Sequence, residues 1–216
     1  MNKLKTATLT QLAILVAVII LMAFTPLGYI RTLGLEITFV MIPVIIGAIT
    51  IGPGAGAFLG FVFGLTSFIQ CFGMSPFGAT LFAINPIYCF IVCVVTRTLM
   101  GWLCGLIFKC FPEKNLAAYS ISSLSGALLN TLFFMSALIL LFGKTEFIMG
   151  FRGSMGVIEF VVAFVGINGL VEAVACFVIA TAISRAVARY AKHRQIFKDR
   201  EEQDAHSGCR RGKHHD

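Results

Sequence analysis

The chain has 216 residues, of which 58% are hydrophobic and only 12% are charged. A soluble domain of this length carries about twice that charged fraction, which excludes a soluble globular fold. The formal net charge of +7 does not indicate nucleic acid, because nine of the 17 Lys and Arg lie between Arg185 and Lys213, after the last apolar run. Basic residues in that position set membrane orientation and meet anionic lipid.

The first five residues are short and basic. A signal peptide would need a small-residue cleavage site, and Phe24-Thr25-Pro26-Leu27 is a poor one, so the first helix, over 9–24, is expected to stay in the protein. A loop over 25–36 carries Arg31 and Glu36. A short apolar helix over 37–51 runs into Gly52-Pro53-Gly54, whose proline and glycines suit a sharp reversal. A third helix over 55–71 carries Gly56, Gly60 and Gly64 at four-residue spacing, a smooth stripe that admits a second backbone. The Gly- and Pro-rich segment 72–86 reads as an interfacial loop folded back on the bundle. A fourth helix spans 87–108, a basic turn 109–115, a fifth helix 116–142, a polar loop 143–156 and a sixth helix 157–183.

The fold class expected is therefore an all-α integral membrane protein, a six-transmembrane-helix bundle over residues 1–190. A basic, disordered cytoplasmic tail occupies 191–216. The termini and the 109–115 turn hold 13 Lys and Arg against three in the loops on the other side. The positive-inside rule then puts both termini in the cytoplasm of a multi-pass protein of the bacterial cell membrane.

Polar groups in lipid are expensive and mark function by default. Counting inward at 1.5 Å per residue brings Arg97, Asn130 and Asn168 to one depth, with Glu172 a turn below Asn168 on the same face. A buried Arg97–Glu172 ion pair locking the fourth helix to the sixth is the plain reading; a ligand cavity faced by one or both is the other. Asn130 and Asn168 suit bonding to each other or to a ligand. Arg31, Arg152 and Glu159 lie at the outer ends, solvated or capping a pocket that opens outward. Phe77, Phe82, Asn85 and Tyr88 border the outer loop and are candidates for a pocket wall. Trp102 and the other phenylalanines read as core or lipid-facing.

The seven cysteines sit mostly in apolar segments, where the thiol acts as a small hydrophobe, so no disulfide framework is expected. Cys89 and Cys93 are one helical turn apart, but no nearby His or second Cys pair completes a metal site in the sequence. The four histidines all follow the last apolar run. No Walker, His-Glu-x-x-His or Gly-x-Ser-x-Gly motif is present, and Glu172 is the lone acid in mid-span, so neither a cofactor nor a catalytic dyad is expected. Ala13/Ala17 and Gly101/Gly105 are further small-residue pairs, for packing within the bundle or for docking another membrane protein.

Together these segments resemble the substrate-binding S components of energy-coupling factor (ECF) vitamin transporters. The resemblance runs from about Leu9 to Ala186. It rests on Pro43, Gly47-Ala48, Gly52-Pro53, Gly56 and Gly60; on Arg97, Gly101 and Gly105; on Gly126 with Asn130-Thr131; and on Asn168-Gly169 with Glu172-Ala173. It implies that helices 1–3 dock on a transmembrane coupling subunit driven by two ATPase subunits, with Ala13, Ala17, Gly56, Gly60 and Gly64 on the docking face. It also implies that helices 4–6 hold a vitamin covered by the 25–36 loop, and that the chain binds without doing chemistry. Within the pantothenate, folate and riboflavin branch, the arginines favour the carboxylate of pantothenate. The other classes in view are a membrane-embedded enzyme using Arg97 and Glu172 on a lipid or prenyl substrate, and a standalone small-molecule channel. The absence of a second buried acid argues against the enzyme, and the absence of a charged pore ring against the channel.

Overall fold

The structure, a computed structural model, describes residues 3–25, 29–32, 35–112, 115–153, 156, 159, 169 and 172–187. The expected tail over 191–216 lies outside them, as does most of the outer half of the sixth helix.

The described chain is a helical bundle. Helix α1 (Lys3–Ala23) leads into strands β1 (Tyr29–Thr32) and β2 (Leu35–Thr38), then α2 (Met41–Thr50) and α3 (Pro53–Gln70). Helix α4 (Pro76–Ile84) precedes the long α5 (Pro86–Cys110), α6 (Leu116–Phe142), the short α7 (Glu146–Arg152) and α8 (residues 172–187). Three of these, α3, α5 and α6, are long and apolar enough to cross a membrane. The apolar stretch of α1, Thr8–Ala23, and helix α2 are shorter.

Two segments expected to be irregular are ordered. The 25–36 loop and the first residues assigned to the second helix form an antiparallel hairpin, with Ile30 opposite Ile37 and Arg31 opposite Glu36. Ile30 and Thr32 flank Arg31, and Leu35 and Ile37 flank Glu36, a period of two within each strand that a hydropathy reading does not separate from the helix that follows. The 72–86 segment contains α4. Its Pro76 starts the helix, and the Ser75 hydroxyl accepts from the Gly78 amide at 3.3 Å.

Helix α2 is the centre. Nine of its ten residues, Met41 to Ile49, are buried, and α1, α3, α5, α6 and α8 all pack on it. Ten residues span about 15 Å, half a bilayer's hydrocarbon, and the hairpin precedes them directly. The turn after it follows from composition: Gly52 has φ 131°, a conformation L side chains rarely adopt, and Pro53 takes the first position of α3.

The most extensive helix pair is α3 against α5, and its glycines explain why. A Cβ on Gly56 would meet the Gly101 carbonyl, and one on Gly60 the Arg97 carbonyl; one on Gly64 would lie 2.6 Å from the Val94 Cα. Gly105 faces Pro53 in the same way, at 2.6 Å. Backbones this close gain dispersion contacts that lipid cannot supply. Gly56, Gly60 and Gly64 are therefore buried inside this chain and unavailable to the docking face expected of them. Ala13 and Ala17 are exposed on α1.

Candidate functional site

Arg97 organises the interior. It is 7% exposed, on α5, directly after a π-helical turn at Ile91–Val95. Such a turn changes the carbonyl register and is frequent at functional sites. Here side chains bond to its carbonyls. Arg97 Nη1 donates to the carbonyls of Val92 and Cys93 at 3.2 and 3.1 Å, Thr96 to Val92, and Thr98 to Val94 at 2.8 Å. The guanidinium carbon lies 4.7 Å from the Phe63 ring centroid on α3 and 5.4 Å from that of Phe134 on α6. Its Nε is buried and has no hydrogen-bond partner among the described residues.

Glu172 does not pair with it. The Glu172 carboxylate, 8% exposed on α8, accepts from the backbone N–H of Thr38 at 2.7 Å. The ion pair expected between helices is thus replaced by a tie from α8 to the base of the hairpin. Helix α2 begins just beyond, at Met41, with no side-chain cap and no acid in its first turn. A carboxylate two residues ahead of its N-cap complements that helix end. Among the described residues, Arg97 then has no carboxylate bound to it, only carbonyls and ring faces.

Asn130 is 9% exposed on α6, one turn before Phe134 and on the same face. Among the described residues its amide has no hydrogen-bond partner. Asn168 lies outside those residues, so the expected Asn130–Asn168 bond does too, and the side chains of Arg31 and Arg152 are likewise outside them. By backbone, Arg31 sits on β1 opposite Glu36, and Arg152 ends α7. Glu159 accepts from the Gly156 amide at 3.0 Å, a local cap.

The outer aromatics divide among other tasks. Phe82 packs with Phe68 and Phe72 at 5.8 and 4.6 Å between centroids, and Phe68 also meets Phe90 at 5.3 Å. Phe77 stacks on Phe147 at 5.7 Å, joining α4 to α7, and Tyr88 lies edge-on to Phe142 at 6.0 Å. Asn85 caps α5, its Oδ1 accepting from the amides of Ile87 and Tyr88 at 3.0 and 3.1 Å. These four residues hold the outer end together; the groups around Arg97 are Phe63, Phe134 and, a turn away, Asn130. Phe63 and Phe134 escaped sequence reading, although Asn130 and Phe134 stand four apart on one helix. Gln70 escaped it as well. It is buried, and its Nε2 donates to the Ala23 carbonyl, closing the end of α1.

The Thr38–Glu172 bond has a measurable consequence. Glu172→Ala should raise amide exchange at Thr38 on the order of 10- to 100-fold, from loss of a charge-assisted bond. Glu172→Gln, which keeps an acceptor, should give a smaller increase. Equal exchange in all three proteins would mean that the bond does not hold the hairpin.

Arg97 and Asn130 are thus buried polar groups on neighbouring helices. A family model described as "ECF transporter, substrate-specific component" matches residues 7–184. The chain is also 29% identical over 157 residues to the "Pantothenic acid transporter PanT" of Lactococcus lactis subsp. cremoris (strain MG1363), covering 67% of this chain and 79% of that protein. It is a membrane protein and a transporter component rather than an enzyme. The chain belongs to the family of substrate-specific components of ECF transporters.

Proposed function

We infer that the chain captures a small carboxylate-bearing vitamin, pantothenate first among them, and holds it for ATP-driven uptake into the cell. The observation that carries this reading is the buried Arg97 charge, with an unpartnered Nε and no bound carboxylate among the described residues. Leaving a cation in that state is costly, and a ligand carboxylate would relieve it at about 1.5–3 kcal/mol per charge-assisted bond. Asn130 offers its amide to the ligand's amide or hydroxyls. Similarity to a pantothenic acid transporter supports the same ligand. A flavin or pterin would want open ring faces, whereas Phe68, Phe72, Phe82 and Phe90 are packed on one another.

The remaining site residues follow from the same reading. Arg31 on the hairpin and Arg152 and Asn168 near the outer end would complete the ligand's surroundings, and the hairpin tied to Glu172 would be the cover. Six spans, formed by α1, α2 with its hairpin, α3, α5, α6 and the last helix, fit a multi-pass protein of the bacterial cell membrane with both termini inside. The exposed Ala13 and Ala17 on α1 suit docking to a transmembrane coupling subunit carrying two ATPases.

The test is ligand identification. Protein purified in detergent and then denatured should release a stoichiometric vitamin, read by mass spectrometry. Pantothenate should raise the unfolding temperature, and pantothenol, its alcohol analogue without the carboxylate, should not. Release of a flavin or folate would keep the transporter class and overturn the carboxylate argument. No released vitamin and no shift with pantothenate, riboflavin or folate would overturn the reading itself.

A further inference from the structure

Three cysteines from separate parts of the chain converge at the outer end of the α3–α5 contact. Cys89 and Cys93 stand one turn apart on α5, and Cys71 closes the end of α3. Their sulfur atoms all lie within 4.8 Å of one another, with Cys71 and Cys93 Sγ 3.9 Å apart. All three are buried free thiols, Cys89 fully so. The sequence pairs only Cys89 with Cys93; the third sulfur comes from the close approach of α3, set by Gly64 against Val94 and the Cys93 carbonyl. On the other side Gly78 of α4 makes room, since a Cβ there would fall 2.7 Å from Cys71 Sγ.

We propose that Cys71, Cys89 and Cys93 bind one thiophilic divalent cation of the zinc and cadmium class. At a metal–sulfur length of about 2.3 Å, sulfurs sharing one ion sit about 4 Å apart, so this trio needs only a small contraction. The charge balance selects the ion. Three thiolates around a divalent ion leave one net negative charge, and in the ligand-free chain Arg97, hydrogen-bonded to the carbonyl of Cys93, brings one positive charge alongside. A monovalent ion would leave two negative charges against that one positive, a net charge in a buried place. Binding forms three sulfur–metal bonds as three thiol protons leave for solvent, with no change of oxidation state. The bound ion would fasten the end of α3 to α5.

The test uses the full chain in detergent with Cys110 and Cys209 changed to Ser, kept reduced with a phosphine. Cadmium titration should give a thiolate-to-metal charge-transfer absorbance in the ultraviolet that saturates at one ion per chain, with a higher unfolding temperature. The tail histidines cannot produce that absorbance. Cys71→Ser, Cys93→Ser and Cys89→Ala should each weaken binding by at least about 100-fold while Cys104→Ser leaves it unchanged. Unfolding curves without cadmium identify any variant that fails to fold, and the parent titration stands without them. No saturable absorbance in the parent, or full absorbance in folded Cys93→Ser, would overturn the site.

Discussion

Gly60→Ala should destabilise the bundle by about 1–3 kcal/mol, and Gly60→Leu should abolish a monodisperse folded protein, whereas Gly54→Ala on the same helix should be neutral or stabilising. The added Cβ at Gly60 would strike the Arg97 carbonyl, and at Gly54 it would meet nothing within 4 Å. A flexible side chain can turn aside, but a backbone carbonyl moves only if α5 moves. Such a shift would also displace the π-helical turn that receives the Arg97 guanidinium, so Gly60→Ala should lose ligand affinity along with stability. Reversible unfolding in detergent measures the first effect and ligand-induced stabilisation the second. Equal stability of the Gly60 and Gly54 variants would mean that α3 and α5 do not approach as described.

The Gly60 contact was half-legible in the sequence. Four-residue spacing of Gly56, Gly60 and Gly64 announces a close helix neighbour, and Gly101 and Gly105 announce another, but nothing in one sequence pairs the two stripes with each other. The same limit applies to Arg97 and Glu172. Depth counting brings both charges into the bundle, and opposite charges in lipid suggest a bond. The local backbone decides otherwise. A π-helical turn supplies Arg97 with carbonyls from its own helix, and the hairpin supplies Glu172 with the Thr38 amide. Neither feature has a strong signature: Ile91–Val95 reads as ordinary apolar helix, and Leu35–Thr38 merges with the apolar run of α2. Helix α6, by contrast, was read residue for residue, because Asn115 caps it through a 3.0 Å bond to the Ala118 amide and Gly143 ends it. Helix α4 was missed because Gly73, Pro76 and Gly78 punctuate a short segment, although Ser75-Pro76 is itself a helix start.

Arg97→Met should separate the cost of the buried charge from its use. Without ligand, the variant should differ from the parent by no more than about 1 kcal/mol, because relief of the buried charge offsets the lost bonds to the Val92 and Cys93 carbonyls while an unbranched apolar chain still packs on Phe63 and Phe134. With ligand, affinity should fall by about 2–5 kcal/mol, roughly 30-fold to several thousand-fold, since the ligand carboxylate would be left buried and unpaired. Arg97→Lys keeps the charge but has one nitrogen where Arg97 has three, so it cannot hold the Val92 and Cys93 carbonyls as Nη1 does and still offer Nε to a ligand, and it should recover only part of the binding. A structural Arg97–Glu172 bridge predicts the reverse pattern: an unstable ligand-free variant, and strong coupling between the two sites. The geometry instead predicts that Arg97→Met and Glu172→Ala couple by less than about 1 kcal/mol in their effects on ligand-free stability, because their hydrogen bonds go to different partners. A coupling above about 1 kcal/mol would mean that the two charges stabilise each other, and the case for a ligand carboxylate at Arg97 would lose its foundation.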